Sequence, residues 1–151
     1  MVRTLAERHS AVPSVYLFLV REGKIFLLLR QNTGYMDGHY CVPAGHVEPG
    51  ELPTEAIVRE AMEEAGVTVR AEALLLVHTL YRGKHDATGD RVDLFFTAKS
   101  WKGEPKNSEP EKCVDAGWFP LNQLPDNWIP YQREVFEKSE QGILLSEIPG
   151  T

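Results

Sequence analysis

The chain alternates short apolar runs with polar breaks that carry glycine and proline. Residues 12–20 (VPSVYLFLV) and 25–29 (IFLLL) are continuous apolar runs of strand length, and Arg21-Glu22-Gly23-Lys24 between them reads as a hairpin turn. Neither run alternates with polar residues, so the sheet they form is expected to be covered on both faces. Residues 31–38 read as a loop and 39–42 as a short strand. From Pro53 the period changes to a helical one: Ile57, Val58, Ala61, Met62 and Ala65 make an apolar stripe at 3.6 residues per turn. Pro53 suits the first helical position and Gly66 the left-handed position just past the end. Residues 67–80 contain strand material, best in LLLVHTLY, and residues 91–101 (RVDLFFTAKSW) are expected to pair with it across the polar loop 82–90. A second polar loop spans 102–112, a short extended piece 116–120, and a helix 130–140 with Tyr131, Val135 and Phe136 on one side. Strands, helix, strands, helix is the order of a mixed β-sheet between helices, an α/β or α+β sandwich.

Composition narrows the class. At 151 residues, 42% hydrophobic and 25% charged, the chain fits one globular domain over 1–151. Its net charge of -6 argues against a surface built for nucleic acid polymer, while leaving room for a nucleotide held through cations. No apolar run reaches the roughly 20 residues that span a bilayer, so no membrane partner is expected. Cys41 and Cys113 have neither metal-ligand spacing nor a disulfide framework, which suits the cytoplasm.

The chemistry concentrates in residues 45–67, GHVEPGELPTEAIVREAMEEAGV. Glu60, Glu63 and Glu64 stand at i, i+3 and i+4, where like charges repel by a few tenths of a kcal/mol per pair. A divalent cation turns that repulsion into a binding site, because clustered hard oxygens are what Mg²⁺ takes. A solvated acidic helix face is the plainer reading of the run taken alone.

In register, the stretch resembles the box of the Nudix hydrolase family, G-x5-E-x7-R-E-U-x-E-E-x-G-U with U apolar. Gly45, Glu51, Arg59, Glu60, Ala61, Glu63, Glu64, Gly66 and Val67 fill its positions. Chance would produce such a match at roughly one window in ten million. The resemblance implies the family's α/β/α sandwich and Mg²⁺- or Mn²⁺-dependent hydrolysis of a nucleoside diphosphate linked to another group. It implies Glu60, Glu64 and Glu63 as metal ligands with the Gly45 carbonyl, and Glu60 as first choice of general base. Arg59 and Glu51 become a supporting ion pair. An extra acidic residue is expected from loop 102–112, with Glu109 favoured as ligand or base, Glu111 second, and Glu104 also on that loop.

Substrate contacts are open among His39, His78, Arg82 and Arg91 for phosphate, Tyr40, Phe95, Trp118 and Tyr131 for stacking, and Asp126 and Asn127 for a base edge. A proline some fifteen residues beyond the box, usual in ADP-ribose hydrolases, is missing, and Tyr81 falls slightly early for a dinucleoside-polyphosphate hydrolase. The coenzyme A signature is absent too. The LLLR before the box and Trp118-Phe119-Pro120-Leu121-Asn122-Gln123-Leu124-Pro125 resemble MutT-like members. That subgroup implies a (deoxy)nucleoside triphosphate, ordinary or oxidised, cut to monophosphate and pyrophosphate. Another nucleoside diphosphate-X substrate and a non-catalytic nucleotide-binding module are the alternatives. The expected partner is the small-molecule nucleotide, and the expected state a monomer or homodimer.

Overall fold

The computed structural model describes all residues, Met1–Thr151. It contains nine strands and two α-helices: β1 Ala11–Phe18, β2 Val20–Arg21, β3 Lys24–Arg30, β4 Tyr40–Cys41, β5 Ala44–His46, α1 Pro53–Ala65, β6 Leu74–Arg82, β7 Asp90–Ala98, β8 Cys113–Pro120, α2 Pro130–Glu140 and β9 Leu145–Ile148. The mixed sheet expected from the pattern is present, in the order β5-β1-β7-β6-β9. β1 runs parallel to β7 and antiparallel to β5, and β6 pairs antiparallel with β7 across loop 83–89 as the pattern predicts.

Alternation along β1 assigns the two faces of this sheet. Phe18 packs against Phe136 of α2 with ring centroids 5.0 Å apart, and Tyr16 meets Tyr131 of the same helix edge-on. Val15 and Leu17 therefore face the other way, toward α1, and both are buried. One face rests on each helix, which makes the α/β/α sandwich and explains why these strands are apolar throughout.

The apolar run 12–20 is not one strand. Its continuity hides a change of partner at Leu19: β1 belongs to the first sheet, and β2 starts a second, antiparallel one centred on β3. The hairpin at residues 21–24 is real but joins only β2 to β3, while β1 pairs with β5 and β7. β3 is flanked by β2 and β4 along one edge and by β8 along the other. The strand material expected within 67–80 is β6, in the LLLVHTLY run. Two further corrections follow from pairing partners that no local pattern shows: the box opens in a strand, β5, and β9 adds parallel to β6.

Helix α1 begins as its sequence dictates, with Pro53 at the first turn and the Leu52 N–H satisfied by Glu55 Oε1 at 2.8 Å. It ends at Gly66, which sits at φ 67° and donates to the Met62 carbonyl. Its buried row is Ala56, Ile57, Ala61 and Ala65. Met62, expected in that stripe, is half exposed, because at 100° per residue it lies well round from Ile57. Glu60 and Glu64 instead occupy the row beside the core, following Ala56.

Gly66 is also where loop 102–112 docks. Lys106 N–H donates to the Ala65 carbonyl and Ser108 N–H to that of Glu64. A Cβ at Gly66 would stand 2.7 Å from Ser108 Oγ in a left-handed backbone conformation. Gly66→Ala is expected to cost about 1–2 kcal/mol, read as a lower midpoint in urea unfolding with an unchanged slope.

Candidate active site

The site forms where the α1 row carrying Glu60 and Glu64 meets β5. Gly45 pairs with Val15, so the side of its Cα that lacks a Cβ faces α1. A Cβ there would lie 2.0 Å from Glu60 Oε1. Only glycine lets the carboxylate reach the strand. The bonds Leu17 N–H to the Pro43 carbonyl and Val47 N–H to the Pro13 carbonyl fix the ladder's phase. By alternation, Val15 and Gly45 are a bonded pair, so the Gly45 carbonyl has one lone pair in the ladder and one free.

Glu64 Oε1 accepts the Ala44 N–H at 2.9 Å, and the Glu60 and Glu64 carboxyls hydrogen-bond each other. Burial pushes Glu64 well above the ordinary carboxylate range, and the charges of Glu60 and Glu109 add to it. Burial also raises Glu60, against opposing hydrogen bonds from Glu64 and Arg59. Two carboxylates crowded together out of water are a natural seat for a cation.

Arg59 holds this arrangement from the outside. Its Nε and Nη2 grip Glu51 at 2.9 and 3.0 Å, Nη1 reaches Glu60 at 2.6 Å, and Nη2 also donates to the His46 carbonyl at 3.1 Å. One planar guanidinium thus ties the box loop, the helix and β5 together, a geometry an ammonium cannot reproduce. The expected Arg59–Glu51 pair is present. Arg59 holds the Glu51 carboxyl down at about 2. Glu63 stands apart from Glu60 and Glu64, with its side chain 52% exposed and a longer 3.4 Å contact to Arg59.

Glu109 is delivered next to Glu64 by the docking of loop 102–112 on the end of α1, and Lys112 lies 3.4 Å from its carboxylate. Glu104 is elsewhere, bound to Arg21 and Trp118 Nε1, and Glu111 is exposed. No three acidic, histidine or cysteine side chains converge into a closed cage. Mg²⁺ does not require one, since it is commonly held by one or two carboxylates with waters and substrate phosphates. Glu60, Glu64 and the free lone pair of Gly45 are hard oxygen donors of that kind.

Beside Gly45 and Glu64 opens a cleft of about 440 Å³ between β1, β5, loop 83–89 and α2. Of the expected substrate contacts, Arg82, Arg91 and Tyr131 line it. Their states differ. Arg82 is ion-paired with the fully buried Asp93 and lies 4.3 Å over the Tyr131 ring. Arg91 has no carboxylate partner; its Nη1 donates to His46 Nε2 at 2.7 Å and its Nη2 to Thr88 Oγ1. Burial, then the Arg91 charge, lowers His46, which keeps the imidazole neutral and an acceptor. Tyr16 and Tyr131 hydroxyls are hydrogen-bonded to each other, and burial pushes Tyr131 up to about 12. Cys41 also lines the cleft, but burial raises its thiol to about 12 and leaves it inert at neutral pH.

The other candidates lie outside the cleft. His78 is buried against Ser146 and the Ile143 carbonyl, and Phe95 is core. His39 lies under the 31–38 loop with an unpartnered Nδ1, and Asp126 is exposed. Asn127 caps the Gly38 carbonyl, Tyr40 bonds Asp115, and Trp118 packs on Phe26, Trp101 and Arg21. Sequence reading missed His46, although it directly follows Gly45. It also missed Arg30, the last residue of the LLLR run, which lines the cleft with no carboxylate partner and donates to the Tyr35 carbonyl and Thr33 Oγ1.

A family profile described as the NUDIX domain matches residues 10–139. The chain is 34% identical, over 78% of its length, to the ADP-ribose pyrophosphatase of Methanocaldococcus jannaschii, covering 66% of that protein. It is 34% identical over 81% of its length to the NAD-capped RNA hydrolase NudC of Chromobacterium violaceum, covering 43% of it, and 33% identical over 72% to the human 8-oxo-dGDP phosphatase NUDT18, covering 32%. It thus spans between about a third and two thirds of these relatives. Among solved structures, a MutT NUDIX hydrolase from Burkholderia pseudomallei superposes with a TM-score of 0.74 at 27% identity, over 85% of this chain and 98% of that one.

Two outcomes check the geometry. The Glu51 carboxyl is held below its ordinary value of 4.5, so its ion pair contributes stability that is present above that value and lost as pH falls toward about 2. The stability difference between wild type and Glu51→Gln, measured by urea unfolding, is expected to shrink across that window. Gly45→Ala is expected to fold, to drive the Glu60 carboxylate off β5 and to weaken Mn²⁺ binding by at least tenfold in a calorimetric titration.

From the box residues in register, the matched profile and the shared fold, the chain belongs to the NUDIX family.

Proposed function

We propose that this chain hydrolyses a phosphoanhydride bond of a nucleotide, with Mg²⁺ or Mn²⁺ held by Glu60, Glu64 and the Gly45 carbonyl. The observation that carries the reading is the buried Glu60–Glu64 pair seated against Gly45 beside a cleft lined by two arginines without a carboxylate in contact, Arg30 and Arg91. A bound divalent ion would supply charge for the phosphate oxygens and acidify a water. The residues do the rest. Glu60 and Glu64 supply the negative seat, and Arg59 with Glu51 hold Glu60 in place. Arg30 and Arg91 attract the phosphates, with the neutral His46 orienting Arg91.

Water adds to one phosphorus, its proton passes to a carboxylate, and the bridging P–O bond breaks so that the far phosphate leaves. Glu60 is the first choice for that proton. Glu109, brought beside Glu64, is the alternative base, and Glu63 at the exposed rim is a subsidiary ligand. Asp126 and His39 hold no position on the cleft, so neither is carried forward as a substrate contact.

Two substrate readings stand. A nucleoside triphosphate, ordinary or oxidised, is supported by the MutT-like run ending at Arg30, which reaches the cleft. A nucleoside diphosphate linked to another group is supported by the relatives, whose names specify ADP-ribose, an NAD cap and 8-oxo-dGDP.

A Mg²⁺-dependent panel of triphosphates, nucleotide sugars, ADP-ribose and dinucleoside polyphosphates, with products separated by chromatography, tests the class and the bond. Glu64→Gln is expected to keep the fold and lower turnover by about two orders of magnitude or more. A near-normal rate in that variant would refute the metal assignment. Glu109→Gln should lose less, about tenfold, and flatten one limb of the pH–rate profile.

A further inference from the structure

Arg91 occupies a position that the sheet alone does not favour. It stands directly opposite Arg82 across β6 and β7, and like charges paired in this way are destabilising. The fold compensates only one of the two. Arg82 turns to the buried Asp93, whereas Arg91 is held by neutral acceptors, His46 Nε2 at 2.7 Å and Thr88 Oγ1 at 2.9 Å. An anchorage of that kind fixes the guanidinium without cancelling its charge.

His46 comes with β5. Thr88 is delivered separately, on loop 83–89, and its hydroxyl is itself held. A hydroxyl has one proton to give and two lone pairs. The Asp86 carboxylate takes that proton and also accepts the Thr88 N–H at 2.8 Å. These bonds keep the Asp86 carboxyl below the ordinary carboxylate range, so it remains a charged acceptor at neutral pH. With its proton committed, the hydroxyl turns its lone pairs to Arg91. The loop is tied down at its stem, where Gly83 N–H donates to the Ile148 carbonyl and Thr151 N–H to the Lys84 carbonyl. Asp86 lines the cleft, yet as an anion it would repel a phosphate in direct contact. Its useful place is behind Thr88.

We infer that Thr88 is a positioning residue, whose hydroxyl, fixed by Asp86, aims Arg91 at the phosphates of the nucleotide. The inference rests on the proposed role of Arg91 and names the part of the chain that supplies its geometry. Because Thr88 acts through Arg91, losing its hydroxyl weakens binding and leaves the chemistry at Glu60 and Glu64 unchanged.

The test uses Thr88→Val, which keeps the shape without the hydroxyl, with Thr88→Ser, Arg91→Ala and the double variant Thr88→Val/Arg91→Ala. Calorimetry with ADP in EDTA reads binding without metal or turnover. The Kd is expected to rise about tenfold in Arg91→Ala and about fivefold in Thr88→Val, and to stay within about twofold of wild type in Thr88→Ser. The double variant is expected to bind no more weakly than Arg91→Ala, the non-additivity of two groups acting as one. With Mg²⁺ and ADP-ribose, Thr88→Val is expected to raise KM about fivefold with kcat within about twofold of wild type. A wild-type Kd in Thr88→Val, no recovery in Thr88→Ser, or a fall in kcat at unchanged KM would overturn the inference. So would a further loss in the double variant, which would assign the effect to the loop and not to Arg91. If wild type hydrolysed no compound in the Mg²⁺ panel while the Kd pattern held, the hydrolytic reading would fall and the anchor would stand.

Discussion

The structure depends on two carboxylates held out of water between a helix and a strand. Glu60 and Glu64 are on the row of α1 next to the buried one, and they reach β5 only because Gly45 has no side chain. Burial raises both, and the pair remains close because Arg59 bonds Glu60 while the Ala44 N–H bonds Glu64. Each element nearby can be understood as support for this pair: Pro53 and Gly66 bound the helix, Glu51 secures the arginine, and β5 is locked to β1. A cost of this kind is normal where function requires charge in a dry place.

Both signs of charge meet in the cleft. Glu64 brings a buried carboxylate, Arg30 and Arg91 have no carboxylate partner, and Arg82 is paired with Asp93. The net charge of -6 hides this mixture of signs, and it is local order, not the total, that a ligand meets.

Much of this was legible in the sequence. The helix boundaries followed from Pro53 and Gly66, the Arg59–Glu51 pair and the glutamate register from the box, and the β6–β7 pairing from two apolar runs about a polar loop. The errors arose where long-range pairing decides. An apolar run such as 12–20 says nothing about whether its partner changes at Leu19, and β9 forms because an edge of β6 is free for it. Met62 was misplaced because a stripe drawn on an apolar count ignores how far round the helix a residue lies. Arg82 and Arg91 look alike in sequence, and only Asp93, placed beside Arg82 by the fold, tells them apart. His46 carried no signal of its own, since its meaning lies in what stands across the strands from it.

The adjacency of rows on α1 has a consequence for how this chain can vary. Ala56, Glu60 and Glu64 descend the helix alongside Ile57, Ala61 and Ala65, so chemistry and core are cut into the same cylinder, one row apart. Inserting or deleting one residue within Pro53–Ala65 turns everything beyond it by about 100°, carrying the carboxylates off β5 and polar groups into the core together. Substitutions can alter site and core separately, but length changes there cannot. Length variation among descendants of this sequence should therefore fall outside the helix, which keeps its thirteen residues.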